Sequence, residues 1–262
     1  MQRLRYAGST RLGFFGWLAA FVLLAAFVSL AGAAADGRAQ PALADGGRWQ
    51  AVLAAGDDEE PVFDDATRTL ARRLLEAGVP PANIYRLSAS PAEQRRGAAP
   101  ATAETLLRRV ANLPVRPGDR CFVFLTSHGE PDAGLWLARS QRALHPEELA
   151  QALSRGCGAA PTVVIVSSCY SGSFAAGAMA RPNRVILTAS RRDRPSFGCQ
   201  AERTYTFFDG CLLGALPKAA NWQAVFAATK GCVAREEHAR GERPSEPQAY
   251  FGAAAANLPV GF

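Results

Sequence analysis

Lysine is nearly absent: Lys218 and Lys230 are the only two among 29 basic side chains. Histidine occurs three times, as His128, His145 and His238. Six cysteines are present, yet none form a Cys-x-x-Cys pair, which argues against a zinc site. The Gly-x-Ser-x-Gly stretch is missing, so Ser167, Ser168 and Ser171 lack the strand–turn–helix elbow of a serine nucleophile. No internal repeat and no heptad seam occurs, which excludes solenoids and coiled coils. Acids are missing from the first 35 residues, where Arg3, Arg5 and Arg11 are the only charges. Without those three arginines the formal charge of +6 falls to +3. That is too mild and too dispersed for nucleic-acid binding.

The chain has 262 residues, 48% hydrophobic and 20% charged. It can bury a core and is not intrinsically disordered. Residues 1–35 read as a leader. A basic head precedes the uncharged run from Leu12 to Ala35, which ends in small residues that fit an A-x-A cleavage pattern. The same run reaches the ~20 residues needed to span a bilayer, so residues 12–35 also fit an uncleaved anchor with its basic end inside. Either way the remainder is expected outside the cytoplasm, periplasmic or secreted. Residues 36–48 read as a linker and 49–262 as one domain. Six cysteines in an exported chain invite disulfides.

The domain alternates short apolar runs with helical patterns. Trp49 to Ala55, Asn83 to Leu87, Cys121 to Ser127, Thr162 to Ser168 and Arg184 to Ser190 read as strands, with Glu246 to Gly252 as an edge strand. Helices are expected over Pro61 to Gly78, from Thr102, over Pro146 to Arg155, and near 204–216 and 219–237. Gly134 to Ala138 reads as a small excursion. This order predicts an α/β fold: a three-layer sandwich with a mostly parallel six-stranded sheet and helices on both faces. Such sheets place their chemistry outside the carboxyl ends of the strands.

Two strand ends stand out. CFVFLTS runs into His128-Gly129, and TVVIVSS runs into Cys169-Tyr170-Ser171-Gly172. Taken singly, a cysteine closing an apolar strand is ordinarily an inert core residue, and His-Gly after a strand is ordinarily a turn. Together, at one edge of a parallel sheet, they supply a thiol nucleophile with an imidazole beside it. Gly129 lets backbone approach a substrate carbonyl, and its N–H with that of Cys169 can hold an oxyanion. His145 reads as a surface or capping residue, and His238 as part of a solvated charged stretch.

The chain resembles the legumain family of caspase-like cysteine peptidases. The resemblance rests on Thr126-Ser127-His128-Gly129, on the strand ending Ser168-Cys169-Tyr170-Ser171-Gly172, and on the run Val52–Gly56. Leu187-Thr188-Ala189-Ser190, Ser196-Phe197-Gly198-Cys199 and Tyr205 to Asp209 add to it. It covers Trp49 to Gly252, and the alanine- and arginine-rich usage fits a bacterial exported member. It implies a caspase-like sheet, endopeptidase activity on peptide or protein substrates, His128 as general acid/base and Cys169 as nucleophile. No metal or organic cofactor is implied. The family's histidine-supporting asparagine corresponds to Asp58, with Asp57 as the alternative; a solvated acidic loop is the plainer reading of both. The family's pocket positions map to Phe63, Ser167 and Asp209, and Ser190 reads either as lining the same pocket or as an ordinary strand-end hydroxyl. Only the acidic Asp209 keeps the family's charge, so asparaginyl specificity does not carry over. An unpaired Asp209 would favour a basic side chain before the cut. Transamidation on the same acyl-enzyme, and a catalytically silent envelope scaffold, are the competing functions.

The remaining cysteines read as structural. Cys121 and Cys157 fall at the sheet edge opposite the site, where a disulfide is geometrically possible. Cys199–Cys211 and Cys211–Cys232 are both open. Oligomeric state is not legible.

Overall fold

The computed structural model describes residues 48–262 except Ala201. The leader at 1–35 and all but the last residue of the linker therefore lie outside the described residues. Among the described residues no helix is long and apolar enough to cross a membrane.

The chain runs β1 (Trp49–Ala55), α1 (Val62–Glu76), β2 (Ile84–Ser88), α2 (Pro91–Arg95), β3 (Ala99–Pro100) and α3 (Ala103–Ala111). It continues with β4 (Arg120–Thr126), β5 (Gly129–Glu130), β6 (Gly134–Leu137), β7 (Arg142–Leu144), α4 (Pro146–Gly156) and β8 (Thr162–Ser167). It closes with β9 (Arg184–Thr188), α5 (Phe207–Ala215), α6 (Trp222–Arg240) and β10 (Gln248–Phe251). The main sheet has the order β10-β9-β8-β4-β1-β2-β3. All neighbours pair in parallel except the β9–β10 edge, which is antiparallel.

The uniform hydrophobicity of β1, β4 and β8 has a simple cause. Successive side chains on a strand point to opposite faces, and here both faces are covered. Ala51, Leu53, Phe122, Phe124, Val163 and Ile165 pack in one layer with Leu70 and Leu74 of α1, Leu212 of α5 and Trp222 of α6. Val52, Ala54, Val123, Leu125, Val164 and Val166 pack in the other layer with Leu106 and Val110 of α3 and Leu149 and Leu153 of α4. Each fully buried Val, Leu, Ile or Phe among them contributes roughly 1.5–3 kcal/mol by leaving water. Thr102 caps α3 by accepting the Thr105 N–H at 3.0 Å. His145 stands at the start of α4, where its N–H donates to Glu148 Oε2 at 3.1 Å.

Two expectations need correction. The sheet has seven strands rather than six, because β3 is a two-residue strand too short to show a period. The small excursion expected at Gly134 to Ala138 proves to be a strand. It supplies the middle strand of a second, antiparallel sheet ordered β5-β6-β7. Cys121 pairs with Cys157 and Cys211 with Cys232, which resolves the choice left open for Cys211. Cys169 and Cys199 are free thiols.

Candidate active site

β4 and β8 are direct neighbours, with Thr126 opposite Ser167. The Ser127 N–H extends the ladder to the Ser167 carbonyl at 3.1 Å. His128 and Cys169 therefore leave the sheet at the same rim, each just past a strand that pairs with the other. The sheet topology forces this proximity between residues 41 positions apart.

The two exit loops touch. A Cβ placed on Gly129 would lie 2.0 Å from the Cys169 carbonyl oxygen and 3.0 Å from Ser168 Oγ, so only glycine fits there. The His128 backbone is pinned from the small sheet, where Trp136 N–H donates to the His128 carbonyl at 3.0 Å. Ser127 Oγ donates to the Trp136 carbonyl at 2.8 Å. On the other side, Tyr170 takes a left-handed conformation at φ 58°, an uncommon setting for a bulky residue that occurs mostly where surrounding structure demands it. Its N–H donates to the Arg194 carbonyl at 2.8 Å. Gly172 lies so close to the Arg192 backbone that an added Cβ would come within 2.5 Å of its nitrogen.

The Cys169 sulfur is clasped by Ser196. The Ser196 N–H donates to Sγ at 3.2 Å, and the thiol reaches the Ser196 carbonyl at 3.4 Å. Nothing in the run Ser196-Phe197-Gly198-Cys199 marks Ser196 for this role. The Cys169 N–H has no hydrogen-bond acceptor among the described residues. The His128 ring meets the edge of Phe63, with centroids 5.2 Å apart at 83°.

Of the two candidate carboxylates, Asp57 and not Asp58 stands with the histidine. Ligand atoms of Asp57, Glu59 and His128 lie within 4.8 Å of one another. Asp57 is 3% exposed, and its Oδ1 accepts the Glu59 N–H at 2.8 Å. Asp58 turns outward to Arg139 at 3.1 Å. The resemblance puts Asp58 first; the structure engages it instead with Arg139, in the turn between β6 and β7. Asp57, Glu59 and His128 form the sole cluster of three potential metal ligands among the described residues.

The four expected pocket residues form no exposed wall. Phe63, Asp209 and Ser190 are 0% exposed and Ser167 2%. Phe63 supports the imidazole instead. Ser190 Oγ accepts the Ser171 N–H at 3.2 Å and donates to the Ser168 carbonyl at 3.1 Å, so it braces the turn that carries Cys169. Asp209 Oδ2 accepts from Thr126 Oγ1 at 2.8 Å, while Oδ1 is buried without a well-formed partner. Burial pushes the Asp209 carboxyl up to about 6, against the opposing pull of hydrogen bonds from Ser167, Thr126 and Thr206. Burial, then the charges of Cys169, Asp209 and Glu60, pushes the Cys199 thiol up to about 12.

Exposed surface lies in two clefts beside the rim. One, of about 320 Å³, is lined by Asp57, Asp58, Glu59, Trp136 and Arg139. The other, of about 330 Å³, is lined by Asp132, His145, Tyr170, Gly172 and Arg192. Nothing local in the sequence marks the Trp136 or Tyr170 side chain as a cleft wall.

The sequence pattern of the peptidase C13 family matches residues 105–250, more than half of the chain and inclusive of both strand ends. The chain belongs to the peptidase C13 family. Among solved structures it is similar to caspase-1 from Spodoptera frugiperda, at 13% identity and a TM-score of 0.56. That match covers 79% of this chain and 87% of the caspase, and it shows the caspase-like fold. A comparison with curated protein sequences finds no match. As a C13 chain with a caspase-like sheet, this is a cysteine-peptidase-type protein.

Proposed function

We propose that this C13 chain is an endopeptidase that works outside the cytoplasm through a Cys169 acyl-enzyme. The observation that carries the reading is the shared rim of β4 and β8. It sets a free thiol and an imidazole on touching loops while four other cysteines are committed to disulfides. The Cys169 thiolate attacks the scissile carbonyl. The N–H groups of Cys169 and Gly129 receive the developing oxyanion. His128 protonates the leaving amine and then activates the water that releases the acyl group. Asp57 orients the imidazole and supports its charged form. The clefts on either side of the rim hold the substrate chain. Export rests on the basic head and uncharged run of residues 1–35.

The test is cleavage of a peptide library by the purified protein beside its Cys169→Ala and His128→Ala variants. The reading expects cleavage within peptides, lost in Cys169→Ala. Cleavage that survives Cys169→Ala overturns it. An added amine in the same reaction separates hydrolysis from transamidation by the mass of the product.

A further inference from the structure

Cys199 is the one thiol the mechanism leaves unused. It lies three residues beyond Ser196, the residue that clasps the Cys169 sulfur through its N–H at 3.2 Å and its carbonyl at 3.4 Å. Three residues span at most about 10 Å, which confines Cys199 to the neighbourhood of the nucleophile. Its side chain packs against the small cluster of Ala55, Val62 and Phe63, and Phe63 in turn carries the edge contact to His128. Cys199 thus shares the Phe63 cluster with the imidazole, on a segment tied to the sulfur. The other four cysteines are already paired, so the chain is built for an oxidising setting. In that setting two neighbouring free thiols invite a further bond.

We propose that Cys199 is a resolving thiol, and that a hydroperoxide drives Cys169 and Cys199 into a reversible disulfide that closes the site. The inference rests on the proposed reactivity of Cys169. The two thiols divide the work. Cys169 and Cys199 are both half-buried, and Cys199 alone packs against the apolar cluster of Ala55, Val62 and Phe63. The Cys199 thiol is pushed up to about 12 by burial and by the nearby charges of Cys169, Asp209 and Glu60. It therefore stays a thiol at neutral pH and leaves the first reaction with peroxide to Cys169, giving up its proton only as it attacks the oxidised sulfur.

The chemistry balances. The Cys169 thiolate attacks one peroxide oxygen and the O–O bond breaks. The sulfur becomes a sulfenic acid, and the departing hydroxide takes a proton to become water. Cys199 then attacks that sulfur. The S–S bond forms, the S–O bond breaks, and the leaving hydroxide takes the Cys199 proton as a second water. Two thiols lose two electrons and one peroxide becomes two waters. Without Cys199 the sulfenic acid would proceed to sulfinic acid, which ordinary thiols do not reverse.

The experiment treats the purified full chain, its two existing disulfides intact, with a molar excess of hydrogen peroxide and follows intact mass and disulfide-mapped peptides. A loss of about 2 Da is expected, with a new Cys169–Cys199 peptide, and dithiothreitol at a dose that spares the two structural bridges restores labelling of Cys169 by iodoacetamide. In Cys199→Ser the expected change is a gain of about 32 Da on Cys169 that dithiothreitol does not remove. Wild-type protein that shows the same 32 Da gain with Cys199 still free overturns the proposal. The wild-type map alone decides the point if the variant does not fold. Iodoacetamide labelling of untreated Cys169 reads the thiol's reactivity separately, so failure of the proposed peptidase chemistry and failure of the resolving role are distinguishable.

Discussion

Replacing Gly129 by alanine perturbs the site through one methyl group. The added Cβ would fall 2.0 Å from the Cys169 carbonyl oxygen and 2.9 Å from its carbonyl carbon. Ordinary contact begins at 3.4 Å, so the two loops must part by well over 1 Å. Neither neighbouring atom is the end of a flexible side chain; both are backbone. Gly129 has no left-handed φ, so the effect is steric and carries no conformational component. A displacement of about 1 Å within a catalytic constellation costs on the order of 100-fold in rate. The expected result is therefore a fall of roughly 100-fold in kcat/KM on the best-cleaved library peptide. The loops lie at the rim and not between the packed layers, so the melting temperature should move little. Gly214→Ala is the matched control. It sits in α5 with nothing within 4 Å of the added Cβ, and it should leave turnover unchanged and stabilise the helix by up to about 1 kcal/mol. Turnover by Gly129→Ala within a few-fold of wild type would refute the claim that the touching loops set the geometry.

Asp57→Asn should lower kcat by roughly 10-fold or more, part of the general acid–base contribution, while Asp58→Asn stays within about 2-fold because its partner is Arg139; equal effects in steady-state assays would contradict the assignment of Asp57. Asp209 titrates at about 6 when folded against an ordinary 3.8, so the folded state holds the extra proton and this contribution to stability is lost as pH rises from about 4 to 6. At pH 8 the buried charge costs about 2–3 kcal/mol, and Asp209→Asn should gain in melting temperature over wild type at pH 8 relative to pH 4; parallel pH profiles would rule this out. Removing either disulfide as a Cys→Ala pair should cost about 3–4 kcal/mol by the loop-entropy relation, read from urea unfolding, and a loss below about 1 kcal/mol would show that the bridges close no entropy-bearing loop.

The parts of the fold that were legible obey local rules. The runs from Cys121 and from Thr162 could be read as strands because sheets covered on both faces need unbroken apolar residues. Thr102 announced its helix because a hydroxyl satisfies a free N–H there. Those two runs then located the candidate site, since parallel neighbours must end at one rim. What stayed hidden depends on distant partners. β3 exists only because Leu87 and Ser88 of β2 pair with it. Asp57 and Asp58 are adjacent and chemically identical, and their partners differ: Asp58 meets Arg139, 81 positions away, while Asp57 lies beside His128. Ser190 and Asp209 have the chemistry of pocket residues, but packing turned them into braces beneath the rim. The clasp of Ser196 on the sulfur follows from a loop path that no period encodes.

The central claim is that a thiol and an imidazole, brought together by two neighbouring strands, carry acyl transfer. Rapid acid quench of the protein during turnover of its best peptide, followed by mass mapping, tests it most directly. The account predicts the peptide's acyl half bound to Cys169, absent in Cys169→Ala and reduced in His128→Ala. An acyl group on any other residue, or cleavage with no acyl-enzyme and undiminished in Cys169→Ala, would contradict it.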